Sequence, residues 1–337
     1  MTLTLNTYRN TTELANLNGI PLYMQDLVDA SLRGKLNLFL QGDTGSGKTQ
    51  IMRDVMAYFG NKSLYLLGRN DMDTRELFQR VNPAFIKAIK EGQDTNLKFK
   101  ELSEQVQYNF IGVDELPNCV PAVRAQLFNL FDGFIEIDGH AYPLGSGYCV
   151  GMATGNIGQQ FTESSNELGR ALKDRMHIII DTDMFRPQPV DTLEMLMKDR
   201  NPRVQFTECL EDRIEDLRKA YQQSREVEVP FEKYIVAGYL MHGLDYLEGD
   251  RSKIALKSGW PNKLEGHEAG SDAALILPIS PRAAKSILTL SQALDQITQE
   301  KGAQNLDPLD SMLTAFKFVS AYSGILNEAL VRDKYEE

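Results

Sequence analysis

Five short apolar runs, most of them followed by Gly, Asp or Asn, set the first limit on how this chain can fold. They read LNLFL (36–40), SLYLL (63–67), YNFIGV (108–113), YCVGMA (148–153) and HIII (177–180). Short apolar runs without polar alternation belong to strands covered on both faces, the pattern of a parallel sheet. Amphipathic segments lie between them. After Lys48, residues Ile51, Met52, Val55, Met56 and Phe59 recur at helical spacing, with Gly60 as the stop. This strand–helix alternation predicts an α/β domain over about 1–190, built on a central parallel five-stranded sheet.

After about residue 190 the pattern turns helical. Leu210, Ile214, Leu217 and Tyr221 are spaced to share one face, and Leu309, Met312, Leu313 and Phe316 another. Asp307 and Pro308 open the latter helix as cap and first residue. Residues 248–279 are looser and read as a long surface insertion. A smaller all-α domain over about 200–337 follows, and a chain of 337 residues accommodates both.

Composition narrows the function classes. The net charge of −11 argues against a non-specific nucleic-acid binder, which needs a basic footprint. No run of 18 apolar residues is present, so no membrane span is expected. The opening MTLTLNTYRNTTEL lacks the basic start and apolar stretch of a signal peptide. Cys119, Cys149 and Cys209 are scattered and read as free thiols of a reducing, cytoplasmic setting. His140, His177, His242 and His267 show no metal-ligand spacing with them, so a metal site made of side chains alone is not expected.

Directly after the first apolar run stands GDTGSGKT, residues 42–49. Gly42, Gly47, Lys48 and Thr49 satisfy G-x-x-x-x-G-K-[ST]. The glycines let the backbone curl so that the N–H groups of Asp43, Thr44, Gly45, Ser46 and Gly47 can face a phosphate. The helix that starts there adds its positive end. Lys48 supplies charge for the β- and γ-phosphates of ATP, and Thr49 a hydroxyl for Mg²⁺. A chance match has to be weighed, but the motif needs a strand before it and a helix after it, and both are expected here.

Further along, NFIGVDEL (109–116) ends a strand in Asp114 and Glu115. In a parallel sheet these carboxylates emerge at the C-terminal edge, beside the phosphate loop. Asp114 can support Mg²⁺ through its water shell, and Glu115 can orient or deprotonate a water. Alone, such a pair is more often strand-end decoration; the phosphate loop reverses that. YCVGMATGN ends in Thr154 and Asn156, and a neutral polar group there can place a water near the γ-phosphate, although Asn and Gly also favour turns. ELGRALKDRMHIII (167–180) carries Arg170, Lys173 and Arg175, which either pair with Glu167 and Asp174 or supply an arginine finger to a neighbouring site. In ISPRAAKSIL, Ser280 is a cap and Pro281 the first helical residue, so Arg282 stands in a first turn. A cation gains nothing there from the helix dipole, which points to an external anion such as a phosphate. Phe134, Ile135 and Ile137 lead into Asp138-Gly139, a hairpin turn signal, with Tyr142 and Leu144 beyond it.

The order of these motifs resembles that of AAA+ ATPases: Walker A at 42–49, Walker B at 111–115, sensor 1 at Asn156, arginine finger near Arg175 and sensor 2 at Arg282. Within that superfamily the chain looks like the MoxR group of the helix-2-insert clade. PAVRAQLFNLFDGFIEIDGHAYPL (121–144), ATGN, LKDRM and SPRA carry that likeness. The resemblance implies a P-loop AAA+ core with a helix-2-insert hairpin at about 133–147 and a helical lid. It also implies Mg-dependent ATP hydrolysis in a homo-oligomeric ring, usually a hexamer. Chaperone-like remodelling is the family's usual output, often with a partner carrying a von Willebrand factor A domain. A nucleic-acid motor of the restriction or replication type and a nucleotide-gated scaffold are the alternatives. Departures exist: Leu116-Pro117-Asn118 shifts an expected Asn, residues 69–105 match loosely, Arg170 competes with Arg175, and Arg124 is a further candidate to reach a neighbouring site.

Overall fold

The computed structural model describes residues 12–69, 71, 77–92, 96, 98–156, 175–185, 188–198, 203, 212–226, 228–247, 279–304 and 306–320. Arg170, Lys173, Cys209, Leu210 and nearly all of the expected insertion at 248–279 lie outside them. Backbone contacts divide the chain into two compact units: residues 1–39, 168–199 and 216–337 form one, and residues 40–167 and 200–215 the other.

The five apolar runs all become strands. They are β3 (Leu38–Gln41), β4 (Ser63–Leu67), β7 (Phe110–Asp114), β10 (Val150–Gly155) and β11 (Ile178–Asp181), in a single sheet ordered β11-β3-β10-β7-β4. β7 lies between β10 and β4 and is parallel to both; Val150 pairs with Phe110 in one direction, and Leu67 with Asp114 in the other. Every residue of β7 and β10 is buried, which explains why these runs show no polar alternation. Smaller antiparallel pairs are β1 (Ala15–Leu17) with β2 (Ile20–Leu22), β5 (Gln79–Val81) with β6 (Lys100–Leu102), and β8 (Phe134–Ile137) with β9 (His140–Pro143). The β8–β9 turn places Asp138 at φ +52 and Gly139 at φ +76, the left-handed pair that a two-residue hairpin requires.

In the unit holding residues 40–167, helix α2 (Lys48–Met56) packs on β7 and β10 through Ile51, Met52 and Val55. The approach is close: a side chain at Gly112 would meet the Met52 sulfur at 2.8 Å, so the Met52 side chain would have to shift to admit it. Phe59 stacks on Phe110, ring centroids 5.0 Å apart. Helix α3 (Pro83–Lys90) is capped by Asn82, whose side chain accepts from Ala84 N–H. Helix α4 (Pro121–Phe131) packs on β8 and β10.

The other unit contains α1 (Met24–Arg33), α5 (Pro189–Lys198), α6 (Ile214–Glu226), α7 (Phe231–Leu247), α8 (Pro281–Glu300) and α9 (Pro308–Ser320). The long α8 is its axis, in contact with α1, α7 and α9. Ser280 caps it by accepting from Ala283 N–H at 3.0 Å, as the S-P-R-A motif predicts. The end of α8 is tied to α1 twice: Arg33 donates to both oxygens of Glu300 and to Asp29, and Lys301 donates to Asp26. Between α7, α8 and α9, the wholly buried Lys233 donates to Ser291, Asp295 and Ser311.

One predicted helix face is corrected. In α9, Asp307 caps the helix as expected, its side chain accepting from Leu309 N–H. Leu309 and Leu313, however, are 40% and 51% exposed, and the buried stripe runs through Met312, Ala315 and Val319. The small Ala315 belongs to that buried stripe, so the face is not marked by large apolar residues alone. None of the described helices is long and apolar enough to cross a membrane.

Candidate nucleotide-binding site

The loop 42–49 joins β3 to α2, the strand–loop–helix setting that the motif needs. Gly45 and Gly47 hold φ near +80, a region closed to most side chains. Residues Asp43, Thr44 and Gly45 form its exposed crest, while Lys48 beneath is only 6% exposed. The Lys48 ammonium donates to the carbonyls of Gly42 and Asp43, at 2.9 and 2.8 Å, and to the Ser46 hydroxyl. It is thus held at the centre of the loop's own curve, the position from which a cation faces a phosphate cradled by the same backbone.

Asp114, at the end of β7, faces the start of α2. Thr49 Oγ1 donates to its carboxylate at 3.1–3.2 Å, Tyr65 from β4 donates at 2.7 Å, and Thr154 from β10 donates to the remaining oxygen. Three elements besides its own therefore converge on one carboxylate. Thr154 Oγ1 also accepts from the Glu115 N–H at 3.0 Å, so one hydroxyl ties the two acidic residues together. Glu115 sits at φ +55, a left-handed conformation that turns its side chain off the strand axis. Burial, then the negative Asp114 beside it, push the Glu115 carboxyl above its usual range, and Lys48 opposes them. A carboxyl moved in that direction is a better proton acceptor than an ordinary surface glutamate.

Asn156 follows β10 directly. Its side-chain oxygen is buried and has no hydrogen-bond partner among the described residues. The unit that holds this cluster thus brings together Gly42 through Thr49, Asp114, Glu115, Thr154 and Asn156. Arg175 and Arg282 belong to the other unit. There the Arg175 carbonyl accepts from Asn37 Nδ2 at 3.0 Å, and Arg282 occupies the first turn of α8. Arg124 is a correction: it lies on α4 but is only 8% exposed, packed inward rather than extended towards a neighbour.

Sequence reasoning missed two residues here. Tyr65 reads as one more apolar member of SLYLL, and its contact with Asp114 depends on β4 lying next to β7, which strand order in the sequence does not reveal. Arg53 is hidden in the same way: its guanidinium stacks over the Tyr65 ring, 3.6 Å from the centroid. A polar-tipped aromatic in an otherwise aliphatic strand is the signal that could have drawn attention to the pair.

Residues 37–176 match the model of the AAA domain, dynein-related subfamily, and this span contains the loop, both acidic residues and Asn156. That segment is similar to an AAA domain. Its central parallel sheet and P-loop have the mixed α/β arrangement of the class. Among solved structures, a provisionally assigned ATPase from Cytophaga hutchinsonii shares the fold at TM-score 0.59 and 17% identity, over 92% of this chain and 87% of that one. A full-length MCM homolog from Methanopyrus kandleri aligns at TM-score 0.51 and 14% identity, over 88% of this chain and 55% of its own. No sequence among the curated proteins matches. An AAA domain implies nucleotide binding and, in general, ATPase activity.

Proposed function

We propose that this chain is a magnesium-dependent ATPase of the MoxR-like AAA+ type that works in the cytoplasm as a homo-oligomeric ring, a hexamer by family resemblance, and remodels or assembles a partner protein. The observation that carries the reading is the meeting of Lys48, Thr49, Asp114 and Glu115 at the mouth of one loop, drawn from different elements. Lys48 binds the β- and γ-phosphates of ATP, exchanging loop carbonyls for phosphate oxygens. The Thr49 hydroxyl and the Asp114 carboxylate are hard oxygen donors and suit Mg²⁺. Bound with ATP, that ion neutralises charge on the phosphate oxygens. The Glu115 carboxylate, a stronger base for being buried beside Asp114, takes the proton of the attacking water, and the Asn156 amide orients that water. Arg282 senses the γ-phosphate from the lid, and Arg175, with Arg170 its competitor, completes the pocket of the next subunit. The β8–β9 hairpin is the helix-2 insert, a surface for a client or for a von Willebrand factor A domain partner.

The test is ATP hydrolysis by the purified chain with and without Mg²⁺, beside Lys48→Ala. Turnover that needs Mg²⁺ and is lost with Lys48 is expected; hydrolysis that persists in Lys48→Ala sinks the assignment. A nucleic-acid-linked motor is the second reading, against which the −11 charge stands. Capture by a Glu115→Gln variant with ATP distinguishes them: a protein client supports remodelling, and DNA supports the motor.

A further inference from the structure

We propose that strand β4, which contributes nothing to the recognised motifs, positions the acidic pair: Tyr65 sets the carboxylate of Asp114, and Gly68 sets the peptide of Glu115. The inference rests on the nucleotide-site reading above and goes beyond it to two residues that no motif marks.

The register brings both into place. β4 and β7 run parallel with Leu67 opposite Asp114, so Gly68, one residue beyond, lies alongside Glu115. The Gly68 N–H donates to the Asp114 carbonyl at 2.7 Å. A side chain at residue 68 would lie 2.4 Å from the Glu115 carbonyl oxygen and 3.0 Å from the Asp114 carbonyl oxygen. Both obstacles are backbone, so neither can swing aside; the Glu115 peptide would have to move. Gly68 therefore allows the left-handed turn that aims Glu115.

Tyr65 acts from the other side of the same turn. Its hydroxyl reaches Asp114 at 2.7 Å while Arg53 covers its ring. The Asp114 carboxylate carries three hydroxyl donors. Were Thr49 to hold a metal ion through an oxygen lone pair, its proton could stay on Asp114, and Tyr65 and Thr154 would hold the carboxylate beside it. A partner of this kind orients a metal-supporting group without touching the metal.

The test separates the two residues by readout. ADP binding is measured by calorimetry across a Mg²⁺ series. In Tyr65→Phe the Mg²⁺ concentration for half-maximal effect is expected to rise about tenfold, the scale seen when outer partners of metal ligands are removed, with ADP affinity in EDTA and the melting temperature close to those of the wild type. In Gly68→Ala the Mg²⁺ midpoint is expected to hold while kcat at saturating Mg-ATP falls by about 10²-fold, the scale on which misplacing a catalytic group by about an ångström costs. An unshifted Mg²⁺ midpoint in Tyr65→Phe, or wild-type kcat in Gly68→Ala, overturns the corresponding half. Should Tyr65→Phe lose solubility, Gly68→Ala still decides whether the strand positions the pair. A wild-type chain that binds no ADP defeats the nucleotide-site reading itself, an outcome distinct from these.

Discussion

Thr154 serves both acidic residues with a single oxygen, donating to Asp114 and accepting from the Glu115 N–H. Replacing it by Val keeps the shape and removes both bonds, leaving a buried carboxylate and an amide short of a partner. We expect Thr154→Val to lower stability by about 1–3 kcal/mol, the cost of unsatisfied buried polar groups, measured by urea unfolding. Glu115→Gln tests a different role. Hydrolysis should fall by about 10²–10⁴, the range for loss of a general base, while ATP binding is retained; a variant that turns over at the wild-type rate removes Glu115 from the mechanism. At this scale the site was largely legible in advance. Lys48, Thr49, Asp114 and Glu115 announce themselves because the proposed phosphate and metal chemistry needs those residue types at a helix start after a strand and at the end of a neighbouring strand. Tyr65, Arg53 and Gly68 do not, because their significance comes from a lateral strand neighbour, and lateral order is set by packing between segments far apart in the chain.

Among the elements, the central strands were readable because both faces of β7 and β10 are covered, so nearly every position there is apolar and the runs stand out. Helix faces were less so. The stripe of α9 turned on a buried Ala315 that looks like a neutral filler in the sequence. The link between α1 and α8 was not foreseen at all, since Arg33 and Glu300 are ordinary surface residues by composition. Its energetics follow from burial. Asp29 and Arg33 are both buried, so Arg33→Ala would strand the Asp29 carboxylate, and a loss of about 3–5 kcal/mol is expected by chemical unfolding. Acid should act through Glu300. The Arg33 hydrogen bonds hold its carboxyl below the ordinary glutamate value of 4.5. A depressed carboxylate stabilises the fold above that ordinary value, and its contribution is lost as pH falls through the folded value. Asp29 runs the other way, raised mainly by burial, and partly offsets this. The wild-type melting temperature should therefore drop more steeply below pH 4.5 than that of Glu300→Gln; parallel curves for the two proteins would rule out this contribution.

For the whole molecule, the proposal makes activity a property of the assembly. If Arg175 completes a neighbour's pocket, specific ATPase activity should rise with protein concentration as rings form, by up to about 10³–10⁵ between isolated subunit and full ring. Mixing Arg175→Ala chains with Lys48→Ala chains should restore activity, since each supplies what the other lacks; a mixture as inactive as its components argues against a shared pocket. The order of motifs suggested such an assembly, but which surfaces meet cannot be read from one chain, because interface residues are chosen by a partner surface that the sequence lists without pairing.

Helix α8 carries Arg282 in its first turn and the ion-paired Glu300 at its last residue. Eighteen residues separate them, which at the helical rise is about 27 Å. A rod fastened at its base magnifies angles at its tip: five degrees of tilt about the fastened end sweeps Arg282 through about 2 Å, enough to make or break a contact with a phosphate oxygen. On the proposed reading, the double ionic fastening at the far end would set how far Arg282 moves for a given tilt of α8.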